Sequence, residues 1–401
     1  MQVVMMEPIK ITGAGIVSAI GNNLAETLKA LQKGQTGIGQ MEYLKTDHRE
    51  FPVGEVKMSD EEMKQALCID HEPTTRTSLM GMLALREALT GARLAYPLTE
   101  KVALVSGTTV GGMDKSEQYY LDYLDGNSRN DYIKTHDCGA TTELIARHFG
   151  GFSMTTSIST ACSSAANAII LGANLIRSGL TDIVIAGGCE CITKFHLNGF
   201  NSLMILDHEQ CKPFDAYRAG LNLGEGAAWL VLESAASVQR RGVKPLAELS
   251  GFGNACDAFH QTASSDDGEG AFLAMEKALA MAELTPADID YVNAHGTGTP
   301  NNDLSESQAL FRVFGQHVPP ISSTKGFTGH TTSASGSVEA VICLLALQEE
   351  FYPVNYGWQT PMEQGVKPIT NNEGRAELMH VMCNSFGFGG NDSCLILSKS
   401  Y

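Results

Sequence analysis

The amino-acid sequence predicts an α/β protein built from two similar halves, residues 1–240 and 241–401. Three observations point there. At 401 residues the chain exceeds the roughly 250 to 300 at which a single core stops growing. The order strand, small-residue turn, buried helix, strand occurs twice, with little residue identity between the copies. Asp182-Ile183-Val184-Ile185-Ala186-Gly187-Gly188 is continuously apolar and β-branched, the pattern of a strand covered on both faces.

In the first half, Ile9-Lys10-Ile11-Thr12 reads as a strand running into a turn at Gly13-Ala14-Gly15, and Val102-Ala103-Leu104-Val105-Ser106-Gly107 as a second strand. Ser157-Ile158-Ser159 reads as a strand end. Beyond it Ala166, Ile169, Ile170 and Ala173 fall at i, i+3, i+4, i+7, one buried helical face. The run at 182–188 and Trp229-Leu230-Val231-Leu232-Glu233 complete the half. The polar stretch from Ser237 to Pro245 breaks the apolar pattern and marks the boundary. In the second half Ile289 to Ala294, Ile321 to Thr324 and Met379 to Cys383 read as strands. Small residues from Thr331 to Ser337 lead into a helix with Val338, Val341, Ile342 and Leu345 on one face. Ser264 to Gly270 is the most loop-like segment.

Hydrophobic residues make up 43% of the chain and charged residues 18%, ordinary values for a globular protein. With 28 basic and 45 acidic side chains the net charge is −17, which argues against nucleic acid as a partner. An acidic protein partner would need a local basic patch. No run approaches the roughly 18 apolar residues of a membrane span, and Met1 to Glu7 lacks a basic region before its apolar stretch, so a cytoplasmic location is expected. Ten cysteines are too dilute for a disulfide scaffold and suit a reducing compartment.

Four constellations carry chemistry. Thr160-Ala161-Cys162-Ser163-Ser164 sets a thiol among small residues between strand and helix, where a helix N-terminus would lower its pKa from about 8.5. A cysteine among alanines and serines is otherwise a small buried hydrophobe. His295, in Asn293-Ala294-His295-Gly296-Thr297-Gly298-Thr299-Pro300, ends a strand and can reach a cleft; an isolated histidine there would be a surface group. Lys325 and His330 stand five apart just before the small-residue helix. Asn384-Ser385-Phe386-Gly387-Phe388-Gly389-Gly390 is a glycine turn able to aim an N–H at an oxyanion, with a phenylalanine that gates or fills the core. Cys189, Cys191 and His196 lack metal-ligand spacing and read as core.

Together and in this order, these motifs resemble the β-ketoacyl-[acyl carrier protein] synthases, the elongating type II class above all. The resemblance runs from Ile11-Thr12-Gly13 through Lys212-Pro213-Phe214-Asp215 and Gly224-Glu225-Gly226-Ala227 to the C-terminal strand. It implies a thiolase-like fold of five layers, α-β-α-β-α, with the active site between the halves and two subunits packed together. Cys162 would take an acyl group from a phosphopantetheine thioester. His295 and His330 would stabilise the enolate formed when malonyl carrier protein loses CO2, and the N–H groups of Cys162 and Phe388 would hold the tetrahedral oxyanion. The resemblance pairs Lys325 with Glu306, and gives Thr297 and Thr299 to the phosphopantetheine arm. It gives Val110, Asn222 and Phe386 to the substrate pocket. No metal or organic cofactor is implied. The implied partners are acyl carrier protein and either a second copy of the chain or a chain-length-factor homologue.

Three departures stand out. Met204 replaces an arginine that docks the acidic carrier, leaving Lys212, Arg218 and Arg76 as candidates. Arg218 to Gly224 replaces an acidic and bulky run, and Asn391-Asp392 replaces a Thr-Asn pair. Together they resemble the specialised synthases of polyene pathways, whose growing chain would be unsaturated. Among rivals, the starter-condensing class carries asparagine where His330 stands, and Cys383 does not match a thiolase's second cysteine. A cysteine hydrolase using Cys162 and His295 leaves Lys325 and His330 without a role. A non-enzymatic, chain-length-setting subunit is the remaining alternative; it expects Cys162→Ala to leave a complex active.

Overall fold

The computed structural model describes residues 9–70, 73–126, 130–371 and 377–400. The first half runs β1 (Ile9–Ser18), α1 (Leu24–Lys33), α2 (Asp60–Leu67), α3 (Arg76–Gly91), β2 (Val102–Gly107), α4 (Met113–Leu124), α5 (Cys138–Phe149), β3 (Phe152–Ile158), α6 (Ser164–Arg177), β4 (Ile183–Glu190), α7 (Lys194–Ser202), β5 (Gly226–Glu233) and α8 (Ala235–Arg241). The second runs β6 (Ala247–Cys256), α9 (Glu269–Ala282), β7 (Tyr291–Asn293), α10 (Pro300–Phe314), β8 (Ile321–Ser322), α11 (Lys325–Thr328), α12 (Ser335–Glu349), β9 (His380–Gly387) and β10 (Asn391–Ser398).

The strands order as β3-β2-β4-β5-β1-β6-β10-β9-β7-β8, and the two halves meet where Ile9–Ile11 of β1 pairs with Ala247–Leu249 of β6. Outward from that seam each half takes the same path. β1-β5-β4-β2-β3 and β6-β10-β9-β7-β8 both pair antiparallel, antiparallel, parallel, parallel. The repeat read from pattern is thus a repeat of topology. Helices α6 and α12 lie back to back in the middle layer, where Gly336 has no room for a Cβ beside Ala166. Their apolar residues join strands of both halves in one central core. Separate cores lie under α3 on one outer face and α9 on the other, completing five α/β layers.

Two readings change. Gly13-Ala14-Gly15 is not a turn: β1 continues through it to Ser18. The glycines let α3 lie against the strand, since a Cβ on Gly15 would sit 2.0 Å from the Ala84 carbonyl oxygen. Gly253 of β6 meets the Ala274 carbonyl of α9 in the same way at 2.1 Å, so the duplication extends to the packing glycines. Gly15→Ala should force helix and strand apart at about 1–3 kcal/mol, read as a lowered thermal midpoint. Second, α12 has no single apolar face; residues 335–347 are all buried, because the helix is enclosed between layers. The polar stretch after Ser234 forms α8, with Ser234 as its N-cap.

Candidate active site

Cys162 stands between β3 and α6, two residues before the helix begins. Ala161 takes φ +53°, a sharp turn costly for a residue with a Cβ. Neighbouring hydroxyls clamp that turn: Ser163 Oγ donates to the Thr160 carbonyl at 2.8 Å, and Ser164 Oγ to that of Ala161 at 2.6 Å. Ser385 of β9 donates to the Cys162 carbonyl at 3.0 Å. Gly387 must be glycine, because a Cβ there would lie 2.7 Å from the Thr160 oxygen. The β9 turn therefore locks onto the thiol-bearing turn across the two halves.

His330 Nε2 lies 3.1 Å from Cys162 Sγ. Its backbone is held from the first half, with N donating to the Asn222 carbonyl at 2.7 Å and O accepting from Gly224 at 2.9 Å. The His295 ring stands 5.3 Å from that of His330, at 84°. Lys325 Nζ donates to the His295 carbonyl and to Glu339 of α12, and approaches His295 Nδ1 at 3.4 Å. An ammonium has only donors, so Nδ1 accepts and the Nε2 proton is left to face the cavity.

Lys325 is thus paired with Glu339, not with Glu306 as the resemblance implied. Glu306, on α10, receives the N–H of His295 at 2.9 Å and of Gly296 at 2.8 Å, with Asn384 Nδ2 at 3.2 Å. It shapes the histidine turn. Glu339 was legible in one respect only: it is the single charge within the apolar run Val338-Glu339-Ala340-Val341-Ile342.

Burial decides the charges. It pushes the Cys162 thiol up to about 11, against the Lys325 charge and the N–H groups of Phe388 and Cys162 that bear on the sulfur. The thiolate expected from the helix terminus is therefore not the resting state, since desolvation outweighs the dipole. Burial, then the Lys325 charge, holds both His295 and His330 well below the usual imidazole range, and burial lifts Glu306 to about 7. The resting site holds a neutral thiol and two neutral imidazoles. Alkylation of Cys162 should accordingly climb about tenfold per pH unit through the neutral range; a rate already level at pH 6 would show a thiolate–imidazolium pair instead.

The thiol and both histidines open on a cavity of about 300 Å³. Thr297 and Thr299, which share a 2.8 Å hydroxyl contact, line its outer part, and Phe386 and Phe388 its wall. Phe388 stacks on Phe200 of α7 at 5.7 Å.

Residues 6–237 match the β-ketoacyl synthase N-terminal domain, and residues 246–358 the β-ketoacyl synthase C-terminal domain. The chain belongs to the β-ketoacyl synthase family. It is 31% identical to 3-oxoacyl-[acyl-carrier-protein] synthase 2 of Vibrio harveyi, covering 98% of both chains. Among solved structures it superposes on the ishigamide ketosynthase/chain length factor with a TM-score of 0.91 at 28% identity, over 99% of this chain and all of that one. The ketosynthase ApeO, solved with its chain length factor ApeC from Xenorhabdus doucetiae, gives 0.85 at 30% identity, over the whole of both chains.

Within this family framework several assignments shift. Asn222 does not line the cavity: its amide accepts from Cys211 N at 2.7 Å and donates to the Glu209 carbonyl at 2.9 Å, while the adjacent Leu221 faces the cavity. Val110 is buried away from it, its N–H directed to Glu190 at 3.2 Å. Cys189 and Cys191 are buried thiols of β4 and its end, and His196 bonds Thr193 at 3.2 Å. Asn391 joins a side-chain network that the sequence did not announce. Its Oδ1 accepts from Asn167 Nδ2 at 2.6 Å and Asn254 Nδ2 at 2.9 Å and lies 2.8 Å from Ser163 Oγ, bracing the base of the Cys162 turn from β10. Neighbouring Asp392 is buried beside Asp257 and Glu306, and burial lifts its carboxyl to about 8.

Proposed function

We propose that the protein is a 3-oxoacyl-[acyl carrier protein] synthase that joins an acyl group held on Cys162 to malonyl carrier protein with loss of CO2. The observation that carries this is the Cys162–His330 contact, set at the cavity floor with His295 beside it. A carrier thioester is attacked by Cys162 Sγ as its proton passes to His330 Nε2, which returns it to the departing pantetheine sulfur. The malonyl thioester then loses CO2, and its enolate oxygen is met by the Nε2–H of His295 and by His330 once its single proton has moved from the unpartnered Nδ1 to Nε2. Carbon 2 attacks the acyl-Cys162 carbonyl, and the N–H groups of Cys162 and Phe388 hold the tetrahedral oxyanion until the Cys162 sulfur leaves as a thiolate, which takes up a proton from solvent to restore the resting thiol. The product is a 3-oxoacyl chain two carbons longer. No step calls on a metal or organic cofactor.

His330 touches the sulfur and His295 does not, which separates their expected defects. His295→Ala should slow malonyl decarboxylation while leaving acyl transfer to Cys162 near normal; His330→Ala should slow both. Single-turnover loading and CO2 release measure the two steps, and a collapse of loading alone in His295→Ala would reverse the assignment.

The likeness to ketosynthases solved with chain length factors supports a two-subunit assembly, and the departures at Met204, Arg218 to Gly224 and Asn391-Asp392 support a specialised polyene-type chain. The intact Cys162–His330 pair favours the condensing subunit over the chain-length-setting one. Among the described residues no helix is long and apolar enough to cross a membrane. All ten cysteines are free, which supports a reducing, cytoplasmic site of action.

A further inference from the structure

The positions that sequence comparison offers for carrier docking do not provide free charge. Met204 is 88% exposed and apolar. Arg76 is buried, its guanidinium fixed by Glu225 at 2.6 Å and Asp60 at 3.0 Å. Arg218 is turned inward onto the carbonyls of Asp215 and Pro300 at 2.9 and 2.8 Å, and Lys212 lies 3.6 Å from Glu209.

A different surface cleft gathers cations. Lys45, Arg49 and Lys194 line it with Asn198 and Asp47. The three basic side chains are exposed and form no ion pair with a described residue. Three acids stand nearby: Asp47 lines the cleft, Glu50 is engaged by His48 at 3.0 Å, and Glu117 accepts from the backbone N–H groups of Lys194 and Phe195 at 2.9 and 2.5 Å. With Asp47 as the one carboxylate lining the cleft beside three cations, the cleft is a local excess of positive charge in a chain of net charge −17. The cleft is also connected to the catalytic cavity. Lys194 and Asn198 stand on the helix, α7, whose Phe200 lines the cavity and stacks on Phe388. About 9 Å of helical rise separates Lys194 from Phe200, and the exposed Phe195 adds an apolar contact between them.

We propose that the Lys45/Arg49/Lys194 cleft is the docking surface for the acidic acyl carrier protein, a reading that rests on the condensing function proposed above. A partner seated there presents acidic side chains to the three cations while its phosphopantetheine arm passes along α7 to Thr297, Thr299 and Cys162. Unpaired surface cations of this kind act chiefly on encounter rate and salt dependence.

The test compares Lys194→Glu and the triple reversal of Lys45, Arg49 and Lys194 to Glu with Lys244→Glu, an exposed cation outside the cleft. Binding of a holo-acyl carrier protein is titrated directly, and turnover is measured with carrier-bound substrates and with N-acetylcysteamine thioesters, which carry no protein or phosphate. The triple variant should bind carrier at least about tenfold more weakly, with a flatter salt dependence, and should keep wild-type turnover of the small thioesters. Carrier affinity within about twofold of wild type, or an equal loss in Lys244→Glu, overturns the cleft. So does a loss of small-thioester turnover equal to the loss with carrier. If wild type binds carrier but condenses neither substrate, the condensing function fails, and the binding titration still decides the cleft.

Discussion

Cys162→Ala takes up no label from radiolabelled acyl carrier protein, and its condensation rate falls by on the order of 10³-fold or more. The size of the effect follows from the site's geometry. Cys162 is the cysteine lining the cavity; Cys211 and Cys383 are buried and do not line it. The other groups at the cavity floor are neutral imidazoles, which move protons and hold charge without offering a sulfur. Removing the thiol therefore removes the covalent stage and not merely its acceleration. Equal labelling of wild type and variant would sink the covalent mechanism. Full activity of a Cys162→Ala chain within a two-subunit complex would return the protein to a chain-length-setting role.

Glu339→Gln is expected to be the most destabilising of the conservative changes. It leaves the Lys325 ammonium buried without its counter-charge, a loss of about 3–5 kcal/mol. Malonyl decarboxylation should fall with it, because Lys325 fixes the His295 tautomer. The double variant Lys325→Met with Glu339→Leu, which buries no charge, should recover much of the stability and none of the decarboxylation. That split separates a positioning role from a merely structural one. Glu306→Gln removes one acceptor from the N–H groups of His295 and Gly296, at about 1–3 kcal/mol. Thermal unfolding of both double-mutant cycles decides the matter: Lys325 should couple strongly to Glu339 and add with Glu306 to within about 0.5 kcal/mol. The reverse pattern would restore the pairing read from sequence.

The motifs around Cys162, His295, Lys325, His330 and Phe388 were legible because each depends on local chain geometry: a strand that ends, small residues that permit a turn, glycines that open an N–H. The structure brings all five together. What failed was the assignment of buried polar side chains to particular partners. The Lys325 partner proved to be Glu339, within the helix that follows, while Glu306 turned back on the histidine loop. Asn222 was assigned to the substrate pocket, yet its amide faces Cys211 and Glu209, and its backbone serves His330. Gly13 and Gly15 looked like a turn because glycine marks both turns and close approaches, and only the lie of α3 distinguishes the two.

The sequence by itself determined the two-half α/β order, the family, and the thiol and two histidines that the structure gathers at one cavity, since these reside in short segments of distinctive residue types. Tertiary structure decided three further things: the protonation of the thiol, the identity of the buried ion pair, and which surface cations remain free. The physical reason is common to all three. Each depends on how much water and which opposing charge surround a group, and both are set by elements that are remote in the chain until layers enclose α12 and the β9 turn closes over Cys162.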